Sequence, residues 1–228
     1  MKKSISKKYL SLLFSVAVLV GSIYYSRYIP ISDVLSSNKS VQKNDNSVPI
    51  VEMDAIYPAN FANDAILVGA SHNIFIGTVL NEIGTRDRGF GPETQFAVRI
   101  ILNIKGDLSG VVNVNQEGGY ENGALYIVEG NSDIGSEYLL KPGSTYLLAT
   151  RYNSQNNWYT LNPFPTAREL ISNNSGLSSV QLRGLGKSDA RAEQLRAIYP
   201  REVLLKADIE NENARNSFNS IHSATSVN

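Results

Sequence analysis

Between Thr94 and Asp107 the chain reads TQFAVRIILNIKGD, and Phe96, Val98, Ile100, Leu102 and Ile104 occupy alternate positions. A two-residue apolar period puts all five side chains on one face of an extended strand, and that face needs a core to cover it. Gly106-Asp107 is a turn signal that ends the strand. Val111 to Gln116 then reads as a second strand, so the pair predicts an antiparallel sheet.

The surrounding sequence supplies partners for that sheet. His72 to Ile83 is a strand with Gly77 inside it, which predicts a bend or bulge. Gly84 to Pro92 reads as a loop. Glu117 to Gly123 is a Gly-rich loop, Ala124 to Val128 a short strand, and Lys141-Pro142-Gly143 a turn. Ser144 to Tyr152 and Trp158 to Leu161 form two strands around a hairpin loop at Asn153 to Asn157. Short strands with polar turns, and no strand–helix alternation, indicate a mainly β antiparallel barrel or sandwich of five to six strands. Asn162-Pro163-Phe164-Pro165 ends the sheet, and Thr166 to Ser172 reads as one or two helical turns. Ser172 to Gly186 is polar. Ser188 is the expected N-cap of a helix over residues 189–198 with Ala192, Leu195 and Ile198 on one side, and Pro200 opens a further turn.

Ahead of the sheet, Lys2, Lys3, Lys7 and Lys8 precede an uncharged run from Tyr9 to Ser26, closed by Arg27. A basic start followed by an apolar segment is the layout of an export signal or a membrane anchor. The cleavage pattern is poor, with Val20-Gly21-Ser22 the best candidate, so the reading is an uncleaved helix with a cleaved signal as alternative. Either leaves the rest of the chain outside the cytoplasm, tethered to the cell membrane or secreted. The expected organisation is an anchor at 1–27, a tether at 28–50, a β domain at 51–165, a helical appendage at 166–210 and a polar tail at 211–228.

Composition narrows function. Residues 51–170 carry seven basic and thirteen acidic side chains, which repel a phosphate backbone and argue against nucleic acid. The chain has no cysteine, which removes disulfides, thiolate catalysis and cysteine metal sites, and fits a bacterial exported protein.

The motifs Ile76-Gly77-Thr78-Val79, the alternating strand ending Leu102-Asn103-Ile104-Lys105-Gly106-Asp107, Val112 to Val114, and Pro142-Gly143-Ser144-Thr145-Tyr146-Leu147-Leu148 resemble a set of bacterial exported domains. Those domains are similar to the netrin/tissue-inhibitor-of-metalloproteinases type, a five-stranded OB barrel, and the resemblance spans about residues 73–161. It implies an OB-like barrel. The inhibitors reach a protease zinc through an amino-terminal cysteine, and this chain has none, so no residue role carries over.

Chemistry-bearing groups are sparse. His72 and His222 are the two histidines, too few for a three-histidine zinc site. Ser71, His72 and Asp64 have the residue types for acid–base work, but such residues at a strand start act far more often as turn and cap residues. No nucleophile elbow, phosphate loop or His-Glu-x-x-His is present. The expectation is therefore a protein that is not an enzyme and needs no cofactor or metal. Asp107, Glu117, Glu121, Glu129, Asp133 and Glu137 form an acidic run without an intervening base. It reads as a solvated face, with calcium or a cationic partner as the sharper alternative. Tyr120, Tyr126, Tyr138, Tyr146, Tyr152, Trp158 and Tyr159 cluster around the later strands, where they serve as packing or, if exposed, as a contact surface. Candidate binding residues are Gly118, Gly119, Tyr120 and Glu121 in one loop and Tyr152, Trp158 and Tyr159 around the hairpin. The expected partner is an envelope or secreted protein. A cell-wall glycan is the alternative, and inhibition of an extracellular protease a third.

Overall fold

The computed structural model describes residues 41–42, 48–55, 57, 59–87 and 89–210. Over these the chain is mainly β, with ten strands, three α-helices named below and a further helical stretch at residues 206–210. The strands are β1 (Val41–Gln42), β2 (Ile50–Met53), β3 (Asn73–Asp87), β4 (Pro92–Lys105), β5 (Val111–Glu117), β6 (Gly119–Glu121), β7 (Ala124–Val128), β8 (Thr145–Asn153), β9 (Trp158–Leu161) and β10 (Arg168–Ser172). The helices are α1 (Asp64–Ala70), α2 (Ser179–Ser188) and α3 (Ala190–Ile198).

The alternating stretch does form a strand, β4, but it serves two cores. Against β3 the pairing jumps from Gly77↔Ile100 to Ile76↔Leu102, and from Phe75↔Asn103 to Ile74↔Lys105. Ile101 and Ile104 are thus extra residues, and each bulge changes which face the following side chains present. Phe96, Val98 and Ile100 pack with Phe75, Val79, Val114, Leu148 and Leu161 inside the curve of the sheet, under Leu140. Ile101 and Ile104 pack on the outer face with Ile74, Ile76, Leu147 and Ala149, beneath Leu67 of α1, Leu182 of α2 and Ala192 and Leu195 of α3. The single buried face expected for Phe96 to Ile104 is corrected to two half-faces, because the bulges break the period.

Six strands form one sheet in the order β10-β8-β3-β4-β5-β9, and β9 turns back to pair with β8. That return is partial. β9 is antiparallel to β8 over Thr150 to Asn153, yet it meets β5 only at Val114↔Tyr159 and Asn115↔Thr160, in parallel. β10 occupies the other half of the same β8 edge, at Thr145 to Leu148. The expected antiparallel barrel is therefore corrected to a curled, mixed sheet that does not close fully. A four-residue β9 is too short to seal the seam. A second sheet, β1-β2-β7-β6, has β2 parallel to β7 and encloses Met53, Leu125, Ile127, Val128 and Tyr138.

Several segments differ from expectation for local reasons. The β3–β4 hairpin is longer than Ile83 suggested, with ladder pairs out to Asp87↔Pro92. Gly119–Glu121 is a strand and not a loop, since Asn122 (φ 49°) and Gly123 (φ 77°) form a turn with both φ positive that folds β6 onto β7. Of the helical turns expected over Thr166 to Ser172, only a 3-10 turn at Pro165–Ala167 forms, and Arg168–Ser172 is an edge strand recruited by β8. Helix α2 arises in a stretch that reads only as polar, started by a capping box between Ser178 and Gln181. Helix α3 is capped by Asp189, whose side chain accepts from the Ala192 N–H, one residue past the expected cap.

After α3, residues 202–210 lie back across the helical layer. The Val203 N–H donates to Ala65 O at 2.9 Å, and Lys105 pairs with Glu202. The strap passes so close to α1 that a Cβ on Gly69 would lie 2.0 Å from Val203 O. The expected membrane segment Tyr9 to Ser26 and the expected tail at 211–228 lie outside the described residues. Among the described residues, no helix is long and apolar enough to cross a membrane.

Candidate functional site

Where the two sheets meet, a groove of about 750 Å³ opens. Its lining comes from Met53 at the end of β2 and Asp54 and Ala55 just after it, with Tyr57, Phe61 and Val128, from the β3–β4 turn (Phe90, Gly91), and from the β8–β9 hairpin (Tyr152 to Gln155). Glu93, Glu117, Arg151, Thr160 and Asn162 are among the other residues that line it. The sequence folds this way because the β4–β5 ladder runs out here. Its last pair is Thr94↔Gln116, so Glu93 and Glu117 fall at the next step, and the Gly118 N–H closes the end by donating to Pro92 O at 2.8 Å.

At the β3–β4 turn, Asp87 ties the two glycines that flank Phe90. Asp87 Oδ1 accepts from the N–H groups of Gly89 (2.6 Å) and Gly91 (3.1 Å). Gly91 has φ +112°, and a Cβ there would sit 2.4 Å from Met53 Sδ, so only glycine fits. The consequence is that Phe90 stands 94 % exposed at the groove's rim.

Other lining groups are fixed from behind. Tyr57 stacks edge-on against Phe61 and Phe164 and donates its hydroxyl to Glu129 O at 3.2 Å. Burial, then the nearby Glu117 and Glu129 carboxylates, raise its phenol above the usual tyrosine value. The Arg151 guanidinium donates twice to Asp208 of the strap, at 2.8 and 3.0 Å, and also to Ala70 O. The Arg151 hydrogen bond holds the Asp208 carboxyl below the usual aspartate range.

The residues singled out from the sequence scatter around this groove. Tyr152 lines it, 40 % exposed, with its hydroxyl on Asn157 Oδ1 at 3.0 Å and its ring tilted against half-buried Tyr159, centroids 5.1 Å apart. Trp158 is buried at 5 % exposure, with the Arg86 guanidinium 4.1 Å above its ring. Gly118 and Gly119 are buried where β5 turns into β6, and Glu121 is half-buried at the end of β6. A Cβ on Gly118 would meet the Tyr138 ring at 2.5 Å. Tyr120 is 53 % exposed on β6 but does not line the groove. Of the acidic run, only Glu117 lines it. Among the described residues, no group of three or more His, Asp and Glu is placed to hold a metal ion.

Ser71, His72 and Asp64 do not come together as a catalytic set. Ser71 Oγ donates to Leu67 O at 2.8 Å, and His72 Nδ1 accepts from the Tyr152 N–H at 3.1 Å. Asp64 is clamped by Arg191 and by Gln194. The sequence reading missed Asp54, Tyr57, Phe61, Phe90 and Glu93. An aromatic set between two glycines, Gly89-Phe90-Gly91, was the one local signal for them. No protein-family model matches this sequence, and no curated protein matches it either.

Proposed function

We propose that this chain is a non-catalytic binding module that docks a protein partner in the groove, outside the cytoplasm, with the Tyr9 to Ser26 segment holding it to the membrane. The observation that carries the reading is the groove itself, bounded by two hairpin turns and with the almost fully exposed Phe90 ring on its rim. Exposed aromatics on ordered turns supply contact area at low entropic cost, which is why they anchor protein interfaces.

The strand order supports an OB-type reading of the curled sheet. β3, β4 and β5 form an antiparallel meander, β9 runs parallel to β5, and β8 bridges β9 and β3. In OB folds the ligand lies across the second and third strands between the first and last hairpin loops. Here those elements are β4, β5, the turn at Phe90 and the turn at 154–157, and they surround the groove.

A glycan reading would want flat, exposed rings side by side. Trp158 is covered by Arg86, and Tyr152 and Tyr159 are tilted by 42°, so the protein partner is favoured. The protease-inhibitor reading asks for a rigid loop projecting at Gly118-Gly119, and both glycines are buried. The test is photo-crosslinking in the producing cell with a diazirine side chain at Phe90 or, as control, at exposed Val180 of α2. A discrete protein adduct from position 90 alone is expected. Wall polymer at position 90, or the same adduct from both positions, would overturn the reading.

A further inference from the structure

We propose that the groove is occupied by the chain's own segment beyond the strap, with Phe218 and Ile221 seated against Phe90, and that the partner must displace it. This rests on the docking reading above for what the groove does and adds how access to it is controlled.

The groove sets what an occupant must supply. Phe90 on its rim is 94 % exposed, and Met53, Tyr57, Phe61, Val128 and Leu161 are among its lining residues, so apolar side chains gain contact there. Its volume, about 750 Å³, falls within the ~300–1,000 Å³ range of sites that enclose bulky groups.

The strap delivers the candidate. It is tied down at successive points: Glu202 to Lys105, the Val203 N–H to Ala65 O at 2.9 Å, Leu205 on the outer core, and Asp208 to Arg151 at 2.8 and 3.0 Å. Arg151 itself lines the groove, so the last tie brings the chain to the groove's wall just before the described stretch ends at residue 210. The sequence beyond reads NENARNS from Asn211 to Ser217, with nothing apolar larger than alanine, and then presents Phe218 and Ile221. From residue 210 to Phe218 the chain reaches at most about 26–29 Å, well beyond the width of a groove of about 750 Å³. Joined by so short a polar linker, the pair meets the groove at an effective concentration on the order of millimolar, an advantage that a free partner or a second copy lacks.

The test uses the diazirine at position 90, carried on a phenylalanine ring, in the purified full chain at low concentration. Irradiation and trypsin digestion are expected to give an adduct, at the mass of one chain, between position 90 and the peptide that begins at Asn216. Position 180 should give none, and Phe218→Ser/Ile221→Ser should abolish it. In the producing cell, that double variant and a chain ending at residue 210 should each raise the yield of partner adduct from position 90. The expected rise is about three- to tenfold, since a site open a tenth to a third of the time weakens apparent affinity by that factor. An adduct between two chains would make the occupant a second copy and overturn the inference. An Asn216-peptide adduct that survives Phe218→Ser/Ile221→Ser would overturn the role of that pair. No such adduct, with partner yield unchanged by either variant, would overturn the inference and leave the docking reading in place. The intramolecular adduct without a partner adduct from any variant would support the seat and remove the docking reading.

Discussion

Gly118 illustrates how a residue can look functional in sequence and be structural in space. Paired glycines before a tyrosine read as a flexible binding loop, yet Gly118 has φ +104° and a Cβ there would meet the Tyr138 ring at 2.5 Å and Tyr126 O at 2.7 Å. The chain uses glycine because β5 must pass into β6 through a left-handed residue pressed against another strand. Gly118→Ala is therefore expected to destabilise the fold by at least about 2 kcal/mol, read from urea unfolding, because it combines a strained φ with overpacking. A change under about 0.5 kcal/mol, the ordinary surface value, would show that Gly118 is not held this way. Phe90 is the reverse case. Its only mark in the sequence is the pair of glycines that flank it, and its exposure follows only once Asp87 accepts from the Gly89 and Gly91 N–H groups beneath it.

At the scale of elements, hydrogen-bond competition explains where the sequence reading and the structure part. β10 is a strand because the open half of the β8 edge offers a ladder to residues 168–172, a benefit no local propensity records. α2 exists despite two glycines because its start is well capped: Ser178 Oγ accepts from the Gln181 N–H, and the Gln181 side chain accepts from the Ser178 N–H. Leu182 then anchors it to the outer core. Removing that cap with Ser178→Ala is expected to cost about 1 kcal/mol. Thermal denaturation followed by far-UV circular dichroism would detect it, and an unchanged midpoint would show that packing alone holds the helix.

For the molecule as a whole, the strap at 202–210 joins the C-terminal end of the described chain to the groove. It packs Leu205 on the outer core and ends at the Asp208–Arg151 pair. The folded Asp208 carboxyl lies below its ordinary value because Arg151 hydrogen-bonds it. A depressed carboxylate contributes stability that is present above the unfolded value, about 3.9. That contribution is lost as pH falls from there through the lowered folded value. Amide exchange at Val203 and Ile209 is expected to accelerate across that acid window while the β3–β4 ladder stays protected. Asp208→Asn should show the faster exchange already at neutral pH, and equal rates in variant and parent would remove the latch. The same division runs through the whole protein. The sequence by itself determined the mainly β character, most strand positions from β3 to β9, and the amphipathic α3, because apolar periodicity and turn residues act over a few neighbouring positions. It also placed Tyr152 and its hairpin among the candidates. Only the tertiary structure decided the rest: how the bulges at Ile101 and Ile104 divide β4 between two cores, the short β9 that leaves the sheet incompletely closed, and the convergence of Asp54, Phe90, Glu93, Glu117 and Tyr152 on one groove. Those depend on ladders between residues far apart in the chain, whose register no local pattern encodes.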